Sequence, residues 1–190
     1  MKKETRKEQI IQISAKLFKD KGYAAVSMRD IAKELDIKAA SLYNHIESKQ
    51  DILKIIIISL AEEFTKRMTV IYSSNENNIS KLHQIVALHV DIAYRNQYEM
   101  ASLNNNWMHL ENGITYYLEL RNSYEDNFRA IINNGVQSGE LINSNPEVTL
   151  FSMLSTLRHL YLWIPKMEEI NPKELSDNLS KVLINGILNK

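Results

Sequence analysis

Side chains suited to catalysis are sparse in this chain. It has no Cys, which excludes disulfides, thiol nucleophiles and thiolate metal sites and predicts a reducing, cytoplasmic setting. Its five His, at positions 45, 83, 89, 109 and 159, fall in no HExxH or other compact metal spacing. There is neither a Gly-rich phosphate loop nor a Gly-x-Ser-x-Gly elbow. The expectation is no enzyme, no cofactor and no metal site. The polar residues that do form a pattern lie in SMRDIAKELDIKAASLYNHIESK, from Ser27 to Lys49. Ser27 with Asp30 makes a capping-box pattern, and Ile31, Ala32 and Leu35 give the helix that follows a narrow apolar stripe. Asp36 tolerates a left-handed turn, with Ile37 expected as a buried plug beneath it. A second helix, about 39–46, buries Leu42 and Ile46 and turns Lys38, Ala39, Ser41, Tyr43, Asn44 and His45 outward. Two short helices across a tight turn are either an ordinary pair of the kind any helical protein contains or a helix-turn-helix, whose second helix enters a DNA major groove.

The wording of this region resembles the TetR family of bacterial transcriptional regulators. LFKDKGYAAVSMRDIAKEL, the apolar Ile37 after the turn and SLYNHIESKQDIL fall in that family's order and spacing, over roughly residues 10–53. Asp36 departs from the pattern, since many members have Gly there. The resemblance implies an all-α protein: a three-helix DNA-binding domain over residues 1–48, then a helical effector-binding and dimerisation domain over 49–190. It implies Tyr43 and Lys49 as clamps on the DNA backbone, the first through its hydroxyl and the second as a point charge. Ser27 and Ser41 would add phosphate contacts. Arg29, Lys38, Ala39 and Asn44 would read bases, with Lys38 suited to guanine, Asn44 to adenine and Ala39 to a thymine methyl. His45 is expected to pack or face a phosphate rather than read a base.

Composition agrees with a helical chain. Five Gly and three Pro in 190 residues are too few for a turn-dense β protein. The formal charge of zero divides unevenly: residues 1–49 hold 11 Lys and Arg against 7 Asp and Glu, and residues 50–190 hold 12 against 16. A net of +4 at the head and −4 beyond it places phosphate attraction where the helix-turn-helix sits. The charged N-terminus has no apolar core for a signal peptide, and no run approaches a membrane span.

In chain order, Thr5 with Glu8 opens a first helix, with Ile10, Ile13, Leu17 and Phe18 as core face and Gly22 ending it in the left-handed conformation. Lys2, Lys3, Arg6 and Lys7 form a basic arm that either contacts phosphate or frays. A long helix runs from Ser48 to about Tyr72, because Ile52, Ile56, Leu60, Phe64 and Met68 recur every four residues. Further helices are expected over about 79–96, 98–108 and 113–136, then from Asn145-Pro146 to Trp163 and from Asn171-Pro172 to about Leu188. That makes nine, the number in the family's usual architecture.

In that architecture the last two helices pair with those of a second copy, and two heads on a two-fold axis imply a palindromic operator. Val148, Phe151, Met153, Leu154, Leu157, Leu160 and Tyr161 cover more than one face, which suggests a homodimer over a thick monomeric core. Family members commonly hold a small molecule among the middle helices. The candidate lining here is Phe64, Met68, Tyr72, His89, Tyr94, Met100, Trp107, Tyr117, Tyr124, Phe128 and Trp163, each also explicable as ordinary core. YEDNFRAIINNGVQSGEL, from Tyr124 to Leu141, with the helix that follows looks like members that respond to acyl-CoA or fatty-acid-type ligands. Two functions remain open: a homodimeric repressor released by a small hydrophobic or acyl-CoA-type ligand, or a ligand-independent or activating regulator whose C-terminal domain only dimerises or recruits a partner.

Overall fold

The computed structural model describes residues 5–167 and 171–189, so Lys2 and Lys3 of the basic arm lie outside the described residues. Among these the chain forms α1 (Arg6–Lys21), α2 (Met28–Glu34), α3 (Ala39–Leu42), α4 (Lys49–Ser73), α5 (Asn78–Arg95), α6 (Gln97–Asn105), α7 (Ile114–Gln137), α8 (Pro146–Arg158), α9 (Leu160–Trp163) and α10 (Pro172–Asn185). Two 3₁₀ turns, Trp107–His109 and Ile164–Lys166, complete it. The helix starts follow local chemistry. Thr5–Glu8 and Ser27–Asp30 both close reciprocal capping boxes. The Asn145 side chain accepts from the Glu147 N–H at 3.0 Å, and Asn171 accepts from the Glu174 N–H at 2.9 Å, each ahead of a proline at the first helical position. No helix among the described residues is long and apolar enough to cross a membrane.

Contacts divide the chain into two compact units. The first is the chain up to Ala61 together with Gln97–Leu118. Here α1 packs on α2 and on α6, and Ile10, Phe18, Ile31, Leu42, Ile52 and Leu53 are fully buried. Gln50, on the first turn of α4, donates to the His109 carbonyl at 2.8 Å, and Tyr23 stacks on the His109 ring at 5.3 Å. The second unit is Glu62–Asn96 with Glu119–Lys190. In it α5 packs most extensively on α10 and also touches α8 and α9. Leu82, Ile85, Val86, Ile92, Phe128, Leu157 and Ile184 form its core. A four-charge network of Glu63, Arg67, Asp91 and Arg95 fastens the end of α4 to α5.

Several expectations are corrected. Gly22 has a positive φ of 84°, but its ψ of 143° lies outside the left-handed helical well, in a region open essentially to glycine alone. The helix expected from Asn145 to Trp163 is broken at His159, whose N–H bonds back to the Thr156 carbonyl at 3.3 Å in place of a regular four-residue step. The last helix stops at Asn185. The chain then pairs antiparallel with the segment after α7: Ile142 N–H donates to the Ile187 carbonyl at 2.9 Å, and Asn189 N–H to the Glu140 carbonyl at 3.1 Å. Gly135 and Gly139 bracket the end of α7 at Gln137; Gly135 is buried, and a Cβ there would stand 2.7 Å from Leu141.

Candidate nucleic-acid interface and effector region

The head is built around one unusual residue. Asp36 has φ 51°, and among the described residues no other non-glycine residue has a positive φ. This left-handed step reverses the chain between α2 and α3, with the Ile37 N–H donating to the Ala32 carbonyl at 3.0 Å. Ile37 is half-buried rather than a sealed plug; Ala32, at 2 % exposure, fills the crossing instead. The second helix is shorter than expected. α3 makes one regular turn, Ala39–Leu42, and Tyr43, Asn44 and His45 continue as hydrogen-bonded turn, with Ile46 N–H returning to the Leu42 carbonyl at 3.2 Å. Leu42 and Ile46 are buried as the pattern requires, at 0 % and 2 % exposure.

That anchoring leaves Ser41, Tyr43, Asn44 and His45 exposed, with Lys38 and Arg29 exposed ahead of them and Ala39 half-buried. Arg29, Lys38 and Ala39 share an open cleft of about 450 Å³ with Ala32, Lys33, Asp36 and Ile37. Lys33 was not among the residues singled out from the sequence. Its spacing of four from Arg29 was the available signal, since residues four apart share a helix face. Three cations against one carboxylate make this cleft favourable for phosphate. Ser27 is already engaged: its hydroxyl and N–H both bond the Asp30 carboxylate, and these bonds hold the Asp30 carboxyl below its ordinary range.

Lys49 has a second role that spacing did not show. Its Nζ donates to the carbonyls of Tyr23 at 3.0 Å and Val26 at 2.8 Å, and sits 4.3 Å from the centre of the Tyr23 ring. The ammonium therefore ties the start of α4 to the loop between α1 and α2. Ser48 accepts from the Asp51 N–H at 3.0 Å and caps that same helix start.

The effector candidates separate. Phe64, Met68, His89, Tyr124 and Phe128 are buried in the second unit, where Phe64 lies 4.8 Å from the His89 ring and 5.9 Å from Tyr124. His89 Nε2 and Tyr124 Oη are 2.7 Å apart. Burial, helped by the nearby Arg158 charge, lowers the His89 pKa to about 3, and burial raises that of the Tyr124 phenol. Tyr72, Tyr94 and Trp163 belong to this unit too but are 40 %, 45 % and 49 % exposed. Met100, Trp107 and Tyr117 belong to the first unit, with the Trp107 and Tyr117 rings 5.7 Å apart. Among the described residues no group of three His, Cys, Asp or Glu is placed to hold a metal.

An all-helical chain with a capped helix-turn-helix and polar residues held outward on it is a DNA-binding regulator in form. The chain belongs to the TetR family: residues 10–56 match the model for bacterial regulatory proteins of the tetR family, and residues 75–187 match a tetracyclin repressor-like C-terminal domain. The HTH-type transcriptional repressor KstR2 of Rhodococcus jostii (strain RHA1) is 24% identical over 139 residues, which cover 72% of this chain and 68% of that one. The head is more similar still to IcaR, a negative regulator of the biofilm operon icaADBC in Staphylococcus aureus (strain Newman). There the identity is 48%, over 46 residues covering 24% of this chain and 25% of that one. In fold, the chain is similar to the ketosteroid transcriptional regulator KstR2 of Mycobacterium tuberculosis, with a TM-score of 0.91 at 16% identity over 98% of this chain and 96% of that one. It is also similar to AibR in complex with isovaleryl coenzyme A and operator DNA, with a TM-score of 0.75 at 19% identity over 94% and 97%.

Proposed function

We propose that this protein is a homodimeric repressor that binds a palindromic operator through residues 1–48 and is released by a small hydrophobic or acyl-CoA-type ligand held in residues 49–190. The observation that carries the DNA-binding part is the head itself. Leu42 and Ile46 are sunk in the core, while Lys38, Ser41, Tyr43, Asn44 and His45 are exposed on the turn and short helix above them and Arg29 is exposed on α2. Lys38, Asn44, Arg29 and Ala39 are assigned to bases, and Tyr43, Ser41, Ser27 and His45 to the backbone. Lys49 is assigned a backbone contact as well as its role within the head.

Dimerisation is supported by the split of α8 and α10 into two faces. Met153, Leu154, Leu157 and Leu175 are buried in their own unit, whereas Val148, Phe151 and Val182 are 61 %, 73 % and 75 % exposed. Large apolar side chains left in water at the helices assigned to pairing fit a second copy docking there. The acyl-CoA reading draws on AibR, a protein of like fold seen with isovaleryl coenzyme A and operator DNA. A protein that binds DNA without any ligand response, or activates transcription, is the second reading; the burial of Phe64, Met68, His89, Tyr124 and Phe128 in the core of the second unit is the observation in its favour.

The test is fluorescence anisotropy on the DNA upstream of its own gene, over a salt series. Saturable binding of a dimer with a steep salt slope, weakened in the Tyr43→Phe, Lys49→Ala double variant, is the expected result. Release by acyl-CoAs or fatty acids selects the first reading, and binding insensitive to them selects the second. Binding no tighter to any duplex than to scrambled DNA would refute both.

A further inference from the structure

His89 on α5 is buried to 3 % exposure, and among the described residues its ring has one hydrogen-bond partner, the hydroxyl of Tyr124 on α7, at 2.7 Å. No group among the described residues bonds to its other nitrogen, Nδ1, although that atom is fully buried. Buried polar atoms are nearly always bonded, so an orphan at the centre of an apolar cluster requires a reason. Two rings pack on it, Phe64 at 4.8 Å and Tyr124 at 5.8 Å from the imidazole, and Phe128 extends the cluster 6.4 Å beyond Tyr124.

The tautomer follows from counting unsatisfied groups. A neutral imidazole donates from one nitrogen and accepts at the other. If Tyr124 donates to Nε2, the phenolic proton is used and Nδ1 carries the ring proton, which leaves one orphan, a donor. If Nε2 donates to Tyr124, both the phenolic proton and the Nδ1 lone pair are left without partners inside the core. The first arrangement is favoured because unmade bonds of buried groups are costly.

We propose that His89 is the residue that selects the effector: its Nδ1–H donates to a carbonyl, thioester or carboxylate oxygen of an otherwise apolar ligand packed on Phe64, Tyr124 and Phe128. This rests on the reading of the second unit as effector-binding and deepens it. A ligand with one oxygen acceptor on an apolar body satisfies the orphan donor; a purely hydrocarbon ligand does not, and a cationic one brings a donor against a donor. The neutral imidazole is maintained by burial and by the Arg158 charge, so the donor stays single and fixed across the ordinary pH range.

The experiment uses full-length protein labelled with ¹⁵N-histidine, with the His89 signals identified by their loss in His89→Gln. Two-bond ¹H–¹⁵N spectra report which nitrogen carries the proton. Isovaleryl-CoA, decanoic acid and androstenedione are added as acceptor-bearing probes, and cyclohexane as a control without an acceptor. The expected result is an Nδ1–H tautomer in the free protein and a downfield Nδ1 proton with at least one acceptor-bearing probe. That probe's affinity should fall by roughly tenfold in His89→Gln, which keeps a group at the Nε2 position but none at Nδ1, and less in His89→Asn, which does the reverse. Circular dichroism melts verify that both variants are folded, and the tautomer in the unsubstituted protein stands independently of them. An Nε2–H tautomer, an Nδ1 proton that no probe moves, or equal affinity in His89→Gln would overturn the inference. Operator release is followed in parallel. A probe that moves the Nδ1 proton yet leaves operator bound would uphold His89 as the selecting residue while refuting ligand-released repression.

Discussion

Acidification from about pH 7.5 to about pH 5 is expected to weaken the fold mainly through His89. The unfolded chain presents an ordinary imidazole with a pKa near 6.5, whereas burial in the native state lowers it to about 3. The unfolded state therefore takes up the proton first. The stabilisation is complete above the unfolded value and is lost as pH falls from about 6.5 towards 3. At about pH 5 the unfolded state has gained RT ln(1 + 10^1.5), or about 2 kcal/mol, relative to about pH 7.5. Few other shifted groups intrude in this window. Asp91, which hydrogen bonds from Arg95 and Arg67 hold down at about 2, loses its contribution only at lower pH. Glu99, raised by burial, changes in the opposite sense and offsets part of the loss. Urea titrations at the two pH values, on the unsubstituted protein and on His89→Gln, isolate the His89 share. The unsubstituted protein should lose about 2 kcal/mol more than the variant. Equal losses would show that His89 is not desolvated in the native state, and the reasoning from its burial would fail.

Three further outcomes follow from the same geometry. Gly135→Ala should lower stability by about 1–3 kcal/mol in thermal unfolding, because its Cβ would meet the buried Leu141 side chain at 2.7 Å; Gly186→Ala, with its nearest contact at 3.8 Å, should be close to neutral. Asp36→Val should cost about 1–2 kcal/mol through its φ of 51°, while Asp36→Gly should be tolerated or slightly stabilising; reversal of that order in chemical denaturation would contradict the turn geometry. Phe151→Glu with Val182→Glu should give a monomer by sedimentation and a large loss of operator affinity, since both side chains are exposed on the face assigned to pairing; a dimer that survives the pair of charges would place the interface elsewhere.

Local chemistry made much of this protein legible from its residues. Ser27–Asp30 and Thr5–Glu8 are capping boxes because the reciprocal bonds span three residues and need nothing distant. Asp36 was identified as the left-handed position because the preference is carried by the residue itself. The four-residue recurrence from Ile52 to Met68 was enough to give α4, and Asn-Pro pairs gave the starts of α8 and α10. The outward residues of the head were equally readable, since burying Leu42 and Ile46 turns Ser41, Tyr43, Asn44 and His45 to solvent.

What remained hidden depends on partners far apart in the chain. Lys49 reaches carbonyls 23 and 26 residues away, so nothing in its neighbourhood marks it as a brace. The pairing of the C-terminus with the segment after α7, which stops α10 at Asn185, joins residues almost fifty positions apart. An aromatic residue on a helix shows that it is apolar on one face but not which neighbour covers it. Hence the effector candidates fell into two units, and Tyr72 and Trp163 proved exposed while Phe64 and Tyr124 packed on His89. The sequence by itself determined a helical chain with a tight left-handed turn between two short helices at its head, because capping, periodicity and backbone preference act within a few residues. Only the tertiary structure decided that His89 carries an orphan nitrogen, because the satisfaction of a buried polar group is a property of everything packed around it.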